Sequence, residues 1–158
     1  MALDEVMLEN VVTTGPLDSL RHVAYLFEQR ETHHILVVEN DVLLGIISDR
    51  DLLVSIHPNT FSQIASNTED RVLNKTANQI MTPKPFCITP NTSIISASEL
   101  MLEKGISALP VLDERKRVIG VVSLRAIVNY FVTKTRTRQN KSSKPVSTKS
   151  TALNKLKA

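Results

Sequence analysis

The amino-acid sequence predicts an α/β fold of the α+β type, in which two βαββα units pack as a pseudo-twofold pair. The first observation is an internal repeat: residues 16–20 return as 90–94, and residues 44–52 return as 119–127. The second is that the apolar pattern of each copy changes from helical spacing to short β-rich runs in the same order. The structural unit is therefore half of the apparent domain.

Each unit begins with a helix that is preceded by a short extended piece. Apolar residues at the i, i+3, i+4, i+7 spacing of one helix face start at Leu20 in the first copy and at Ile94 in the second. Asp18 and Thr92 occupy the positions where an N-cap residue is expected. The pattern therefore predicts equivalent first helices.

Two β-rich runs follow, covering 35–38 and 42–47 in the first copy and 109–112 and 118–122 in the second. The runs are apolar throughout rather than alternating, which predicts strands buried on both faces. A charged turn joins them, and the second copy has one extra residue there, as a hairpin turn tolerates.

A second helix is expected to begin at Ser48 in the first copy and at Ser123 in the second. The order is thus β-α-β-β-α, twice. A unit of about 50 residues buries too little apolar surface to be stable alone, so we expect the two units to pack against each other.

These elements divide the chain into four segments. The first repeat covers 6–56, a polar linker with a short helix from about Ala77 covers 57–79, the second repeat covers 80–132, and a tail covers 133–158. The tail has eight basic residues and no acid, whereas the rest of the chain has 11 basic and 16 acidic residues. Rich in Ser, Thr and Lys, the tail is expected to be disordered or loosely helical.

Composition excludes several classes of protein. No apolar run approaches the roughly 18 residues that a membrane span needs, and the first ten residues carry three acids rather than the basic start of a signal peptide. A cytoplasmic location is the default expectation, and the single Cys87 fits a reducing compartment. The sequence has no Gly-rich phosphate loop and no nucleophile beside a base, so we expect neither an enzyme nor a required cofactor.

Three short motifs add to the repeat. They are Leu109-Pro110-Val111 in a strand, Gly-hydrophobic-hydrophobic-Ser-x-x-Asp at 45–51, and Met81-Thr82-Pro83 before the second copy. Together they resemble the CBS domain, and two in tandem resemble a Bateman module, over about residues 3–132. The resemblance implies two clefts between the repeats, pairing into a disc-shaped homodimer, and a regulatory ligand such as AMP, ADP or ATP, with S-adenosylmethionine or NAD as further possibilities.

Ser48 and Asp51 have two interpretations. A Ser with an acid three residues later is a capping box, which is common at helix starts. The resemblance instead implies that the Asp51 carboxylate accepts both ribose hydroxyls while the Ser48 hydroxyl and helix amides face phosphate. The second copy has Ala126 in place of Asp51 and keeps only Ser123, so one confident nucleotide site is expected. Arg50 and Arg125 either pair with phosphate or are solvated charges of the first helical turn.

The resemblance also places the start of the base-contacting strand at His33 and His34. Neighbours in a strand point to opposite faces, so His34 or Ile35 could line a base pocket, and an exposed strand histidine is an equal alternative. Leu36 replaces the Pro110 of the second copy, which weakens that expectation. The chain has four histidines and one cysteine, and no metal site is expected.

Two functions follow. The first is a non-catalytic regulatory module that binds an adenosine-containing nucleotide in the cleft between the repeats and signals through contacts with its dimer mate or another protein. The second is a ligand-free dimerisation scaffold whose basic tail contacts acidic protein, a membrane surface or nucleic acid. The tail lacks interleaved aromatic residues, so nucleic acid is not the expected partner.

Overall fold

A computed structural model describes residues 3–56 and 74–142. In chain order it contains a 3-10 helix Leu3–Glu5, β1 Met7–Leu8, β2 Thr13–Thr14, α1 Leu20–Arg30, β3 His34–Glu39, β4 Val42–Ser48, α2 Asp49–Ile56, α3 Ala77–Ile80, β5 Thr82–Pro83, α4 Ile94–Lys104, β6 Ala108–Leu112, β7 Val118–Ser123 and α5 Leu124–Ser142. The predicted α+β fold with two repeated units is confirmed.

The strands form one sheet for each repeat. The first has the order β2-β3-β4-β5 and the second the order β1-β7-β6. An antiparallel hairpin lies at the centre of each sheet, formed by β3 and β4 or by β6 and β7. The parallel pairing of β2 with β3 returns in the second repeat as a single bridge from Ile88 to Val111. The two units therefore share one topology.

The central strands are buried on both faces, as their uninterrupted apolar character predicted. Ile35, Leu36 and Val37 are consecutive in β3 and all have no exposed surface. Successive side chains of a strand point to opposite faces, so both faces of β3 are covered. Ile35 and Val37 pack in the core of the first repeat.

The first strand of each predicted repeat joins the sheet of the other repeat. β1 pairs antiparallel with β7, and β5 pairs antiparallel with β4. Leu3 and Val6 accordingly lie in the core of the second repeat, whereas Ala77 of α3 lies in the core of the first. Packing therefore crosses the sequence boundaries of the repeats and ties the two units together.

Two glycines permit this exchange of edge strands. A Cβ at Gly45 would lie 2.4 Å from Met81 Sδ, and one at Gly120 would lie 2.6 Å from Met7 Sδ. Both distances are shorter than real Cβ contacts, so the edge strand can cross each glycine only because a side chain is absent. Met7 and Met81 are 74 residues apart, the spacing of the repeat itself.

The predicted N-caps were wrong by one residue in both copies. The helix caps are Ser19 and Ser93, whose hydroxyls accept backbone hydrogen bonds from the third residue after them. The Asp18 carboxylate instead accepts hydrogen bonds of 2.7 Å from the Thr14 hydroxyl and the Gly15 amide. Asp18 thus closes the loop before α1, and the neighbouring Ser19 caps the helix.

The last helix does not end at Val132, where the second repeat was expected to stop. α5 continues to Ser142, because no Pro or Gly interrupts the sequence between Ser123 and Ser142. Glu5 fixes this helix to the N-terminal segment by accepting hydrogen bonds from the Tyr130 hydroxyl and from Lys134 Nζ. The rest of the predicted tail, 143–158, and most of the predicted linker lie outside the described residues.

Candidate nucleotide-binding cleft

One open cleft of about 1670 Å³ runs between the two repeats. Its walls come from the starts of β3 and β6, the starts of α2 and α5, and the two exchanged segments around β1 and β5. We call the part lined by first-repeat residues the first half and the part lined by second-repeat residues the second half. Six predicted site residues line it: His34, Ser48, Arg50, Asp51, Ser123 and Arg125.

Ile35, the seventh predicted site residue, does not place its side chain in the cleft. It has no exposed surface and packs with Val23 and Ile47 in the first core. Its neighbour His34 faces the cleft, because adjacent residues in a strand alternate between faces. Of the pair predicted from the resemblance, His34 is therefore the one whose side chain can reach a ligand.

Ser48 and Asp51 form a capping box at the start of α2. The Asp51 amide donates to Ser48 Oγ at 3.2 Å, and the Ser48 amide donates to Asp51 Oδ2 at 2.8 Å. The Ser48 hydroxyl also donates to Asp51 Oδ2 at 2.6 Å. The capping interpretation of these residues is thus realised in the structure, and it fixes the carboxylate in one orientation.

Capping leaves half of the Asp51 carboxylate available. All hydrogen bonds from Ser48 end on Oδ2, and Oδ1 has no hydrogen-bond partner among residues 3–56 and 74–142. An ionised carboxylate offers about four lone-pair sites. The two interpretations of Asp51 are therefore compatible, since the residue can cap α2 and still accept hydroxyl groups from a ligand.

The second repeat keeps the cap and lacks the carboxylate. The Ala126 amide donates to Ser123 Oγ at 3.2 Å, the same distance as in the first repeat. Ala126 offers no oxygen to a ligand. The two halves of the cleft are alike in backbone geometry and unlike in chemistry.

Asp49 adds a second acid to the first half, which the sequence reasoning missed. His33 Nδ1 donates to Asp49 Oδ2 at 2.7 Å, and this hydrogen bond holds the pKa of Asp49 below its usual value. The Asp49 amide in turn donates to the His33 carbonyl oxygen. A signal was present, because Asp49 precedes Arg50 whereas Leu124 precedes the equivalent Arg125.

The two arginines at the helix starts have unsatisfied side chains. Arg50 and Arg125 are exposed and line the cleft. In the part of the chain that the structure describes, neither guanidinium has a hydrogen-bond or ion-pair partner. Both are available to an anionic group of a ligand.

His34 connects the two repeats across the cleft. Its Nε2 lies 3.0 Å from Ser107 Oγ, and burial lowers the pKa of His34 below the ordinary value for histidine. His34 is therefore neutral near pH 7 and shares one hydrogen bond with Ser107. No group of three or more His, Cys, Asp or Glu side chains in the described ranges could hold a metal ion.

The exchanged segments also contribute to the cleft, and the sequence reasoning did not predict this. Thr82, Pro83 and Lys84 line it because β5 pairs with β4, and Met7 and Leu8 line it because β1 pairs with β7. The signal that could have revealed the exchange is that Met7 recurs as Met81 at the repeat spacing. The side chain of each methionine lies against a glycine, Gly120 or Gly45.

The family model for the CBS domain matches residues 3–58 and 77–133. The chain belongs to the CBS domain family. The matched ranges include the exchanged segments at 3–8 and 77–83, in agreement with their packing. Among residues 3–56 and 74–142, no helix is both long and apolar enough to cross a membrane.

Curated relatives are similar to this chain along most of its length. Inosine-5'-monophosphate dehydrogenase of Methanocaldococcus jannaschii is 29% identical over 126 residues, covering 79% of this chain and 22% of that protein. The CBS domain-containing protein YhcV of Bacillus subtilis is 27% identical over 123 residues, covering 78% and 80% respectively. The chain spans 61%, 22% and 45% of the lengths of the first three relatives that it matches.

Solved structures show the same fold. The CBS domain pair of protein MJ0100, crystallised with 5'-methylthioadenosine and S-adenosyl-L-methionine, superposes with a TM-score of 0.72 at 21% identity, covering 85% of this chain and 98% of that one. CBSX2 in complex with AMP superposes with a TM-score of 0.69 at 22% identity and the same coverage. These CBS pairs therefore share the architecture of the present chain.

Proposed function

We propose that this CBS pair is a non-catalytic regulatory module that binds one adenosine-containing nucleotide per chain in the first half of the cleft. The observation that carries the proposal is the Asp51 carboxylate, which Ser48 orients at the cleft wall and whose Oδ1 remains without a partner in the described part of the chain. Two ribose hydroxyls are donors, and a carboxylate is an acceptor only. AMP, ADP and ATP are the first candidates, followed by S-adenosylmethionine and NAD.

Known ligands of similar structures support this choice of ligand class. The MJ0100 pair holds two adenosyl compounds and CBSX2 holds AMP. All three ligands contain a ribose with two free hydroxyls, the group that Asp51 is suited to accept. The proposal for this chain rests on Asp51 itself, since likeness of fold alone does not fix a ligand.

The phosphate of the nucleotide would lie near Arg50 rather than on the amides at the start of α2. The Asp49 and Asp51 amides already donate to the His33 carbonyl and to Ser48 Oγ. The Asp49 carboxylate adds a negative charge at the same helix start. The exposed Arg50 guanidinium, which has no partner among the residues that the structure describes, provides the favourable charge that those amides do not.

Regulation would follow from the position of the cleft between two packed repeats. A ligand in the first half lies beside His34, whose hydrogen bond to Ser107 reaches the other repeat. A ligand shifts an equilibrium between two arrangements only by its difference in affinity for them. A nucleotide that favours one spacing of the repeats would therefore change the surface that the module presents.

We propose a second copy of the chain as the partner of the outer helix faces. Each repeat packs a pair of helices side by side, α1 with α2 and α4 with α5, and these helices expose Tyr25, Leu53, Val54 and Leu102 by 57%, 60%, 63% and 75%. Apolar residues are thus exposed on helices of both repeats, and a twofold contact between two copies would cover the same surface on each chain. Leu53→Glu with Leu102→Glu should convert a dimer to a monomer in light scattering, and an unchanged mass would contradict this interface.

Isothermal titration of the intact chain with AMP, ADP, ATP, S-adenosylmethionine and NAD tests the nucleotide proposal. We expect at least one of them to bind, and Asp51→Asn to weaken it roughly ten- to a hundredfold, since hydrogen bonds to a charged group are worth about 1.5 to 3 kcal/mol. Asp41→Asn, on the exposed turn between β3 and β4, is the matched control and should bind as the parent does.

Failure of all five ligands to bind would overturn the proposal and favour the ligand-free scaffold instead. Equal binding by the parent and Asp51→Asn would show that the ribose is held elsewhere. In both variants, unfolding midpoints and circular dichroism check that the fold is intact, because the amide oxygen of the introduced Asn can still accept the hydrogen bond from the Ser48 amide.

A further inference from the structure

The two halves of the cleft differ at positions that the internal repeat makes equivalent. Polar or acidic residues in the first half correspond to apolar residues in the second. The pairs are Thr32 and Ile106, His34 and Ala108, Asp49 and Leu124, and Asp51 and Ala126. All but Ala126 line the cleft. The change from Asp51 to Ala126 removes the carboxylate proposed to hold the ribose, and the other three replacements make the second half more apolar.

Charge in the second half is of one sign. Among residues 80–132, those that line the cleft include two charged residues, Lys84 and Arg125, and no acid. The Arg125 guanidinium is exposed and has no partner within the described ranges. The equivalent Arg50 stands between Asp49 and Asp51 in the sequence. An anion in the second half would therefore meet a cation without a competing carboxylate on the same helix start.

The walls of the second half are apolar and incompletely covered. Phe86, Val128 and Val132 line it and are 50%, 54% and 44% exposed. Leu124 and Ile106 lie on the same walls. Apolar surface in a concave site favours a ligand with an apolar body, because burial removes both surfaces from water.

A nucleoside fits the second half less well than the first. A ribose brings two hydroxyl donors, and the second-repeat part of the lining has no carboxylate to accept them. The side-chain acceptors present there are neutral: the Asn129 amide oxygen and the Ser107 and Ser123 hydroxyls, which already form hydrogen bonds with His34 and the Ala126 amide. Hydrogen bonds to neutral groups are weaker than those to a carboxylate.

We propose that the second half of the cleft binds a small organic carboxylate with an apolar body, with the carboxylate on Arg125 and the body against Phe86 and Val128. This site is separate from the nucleotide site and does not depend on it. The chain would then respond to two chemically different ligands through two halves of one cleft.

Isothermal titration of the intact chain with hexanoate tests this site, with hexan-1-ol and hexylammonium as probes of the same length. We expect hexanoate to saturate one site per chain and the alcohol and the ammonium to bind roughly tenfold more weakly or worse, since they lack the charge that Arg125 selects. Arg125→Gln should weaken hexanoate by a similar factor. Arg115→Gln, on the exposed turn between β6 and β7, should leave its binding unchanged.

Three results would overturn the proposal: no saturable binding of hexanoate, equal binding of hexan-1-ol, or equal binding by Arg125→Gln. Val128→Asp gives a second check, because a carboxylate on the apolar wall should repel hexanoate while the exposed position tolerates the substitution. Nucleotide binding is measured in the same samples. Hexanoate binding without nucleotide binding would contradict only the nucleotide proposal, and the reverse would contradict only this one.

Discussion

His34 in the first repeat and Ser107 in the second are joined by a hydrogen bond of 3.0 Å between Nε2 and Oγ. His34 is the first residue of β3, Ser107 immediately precedes β6, and both line the cleft. The bond therefore connects the repeats at the place where a ligand would lie. Burial lowers the pKa of His34, so the contact is made by a neutral imidazole at neutral pH.

This contact predicts that stability falls in mild acid. A lowered pKa in the folded state means that the unfolded chain binds the proton first, below about pH 6.5. The contribution of His34 to the free energy of unfolding should be constant above that pH. It should decline as the pH falls toward the pKa of His34 in the folded state. The charges of Asp49 and Asp51 raise the pKa of His34 and the charge of His33 lowers it, but burial is the largest cause of the shift.

Urea unfolding between about pH 5 and pH 8 measures the decline. His34→Gln should flatten it, because the amide does not titrate in this range. The same slope in His34→Gln as in the parent would contradict the role given to burial.

Because the edge strands are exchanged, a side chain introduced at Gly45 should destabilise the fold. A Cβ there would lie 2.4 Å from Met81 Sδ and 2.9 Å from the Thr82 carbonyl oxygen, and a backbone atom cannot move aside as a side chain can. Gly45→Ala should lower the free energy of unfolding by about 1 to 3 kcal/mol. Gly15→Ala is the control, since its added Cβ would meet Asp18 at 3.4 Å or more. Equal midpoints of Gly45→Ala and Gly15→Ala in chemical denaturation would contradict the close approach of β5 to β4.

The loop before α1 predicts a loss of stability in Asp18→Ala. The Thr14 side chain is in a residue only 4% exposed, and its hydroxyl donates to Asp18. Removing the carboxylate leaves a buried donor without a partner, which costs about 1 to 3 kcal/mol. Thr92→Ala, at the equivalent half-buried position, should cost less, because the Thr92 hydroxyl accepts a solvent-exposed hydrogen bond from the Thr89 amide.

Acid should reproduce part of the Asp18→Ala effect. Hydrogen bonds from Thr14 and Gly15 lower the pKa of Asp18, so its stabilisation is complete above the unfolded value of about 4 and is lost as the pH falls through the folded value. The stability of Asp18→Ala should approach that of the parent below that range. A constant difference down to the lowest pH would show that Asp18 acts through packing alone.

The repeated unit and most of its elements could be predicted from the sequence because they depend on local patterns. The helix-to-strand change of period identified both hairpins and both helices of each repeat. The N-caps failed because Asp18 and Ser19 are both good caps, and a contact of Asp18 with the loop decides between them. Such choices between adjacent residues depend on tertiary contacts.

The exchanged strands could not be predicted because two-residue strands carry no periodic signal. Pairing of Met7 with Val122 and of Thr82 with Ile46 spans long separations in sequence, and only the glycines opposite them mark the crossing. Ser48 and Asp51 were predicted as site residues from the resemblance to the CBS domain, and comparison of the two copies then showed that Ala126 replaces Asp51. Asp49 was missed because a charged residue at a helix start usually faces solvent.

The stoichiometry of nucleotide binding in Ala126→Asp tests most directly whether a carboxylate at the start of the second helix creates the ribose site. The Ala126 amide already donates to Ser123 as Asp51 does to Ser48, so the introduced carboxylate has a preformed cap. By isothermal titration with the tightest-binding nucleotide, the account predicts one nucleotide per parent chain and two per Ala126→Asp chain. Two nucleotides per parent chain, or no gain in the variant, would contradict it.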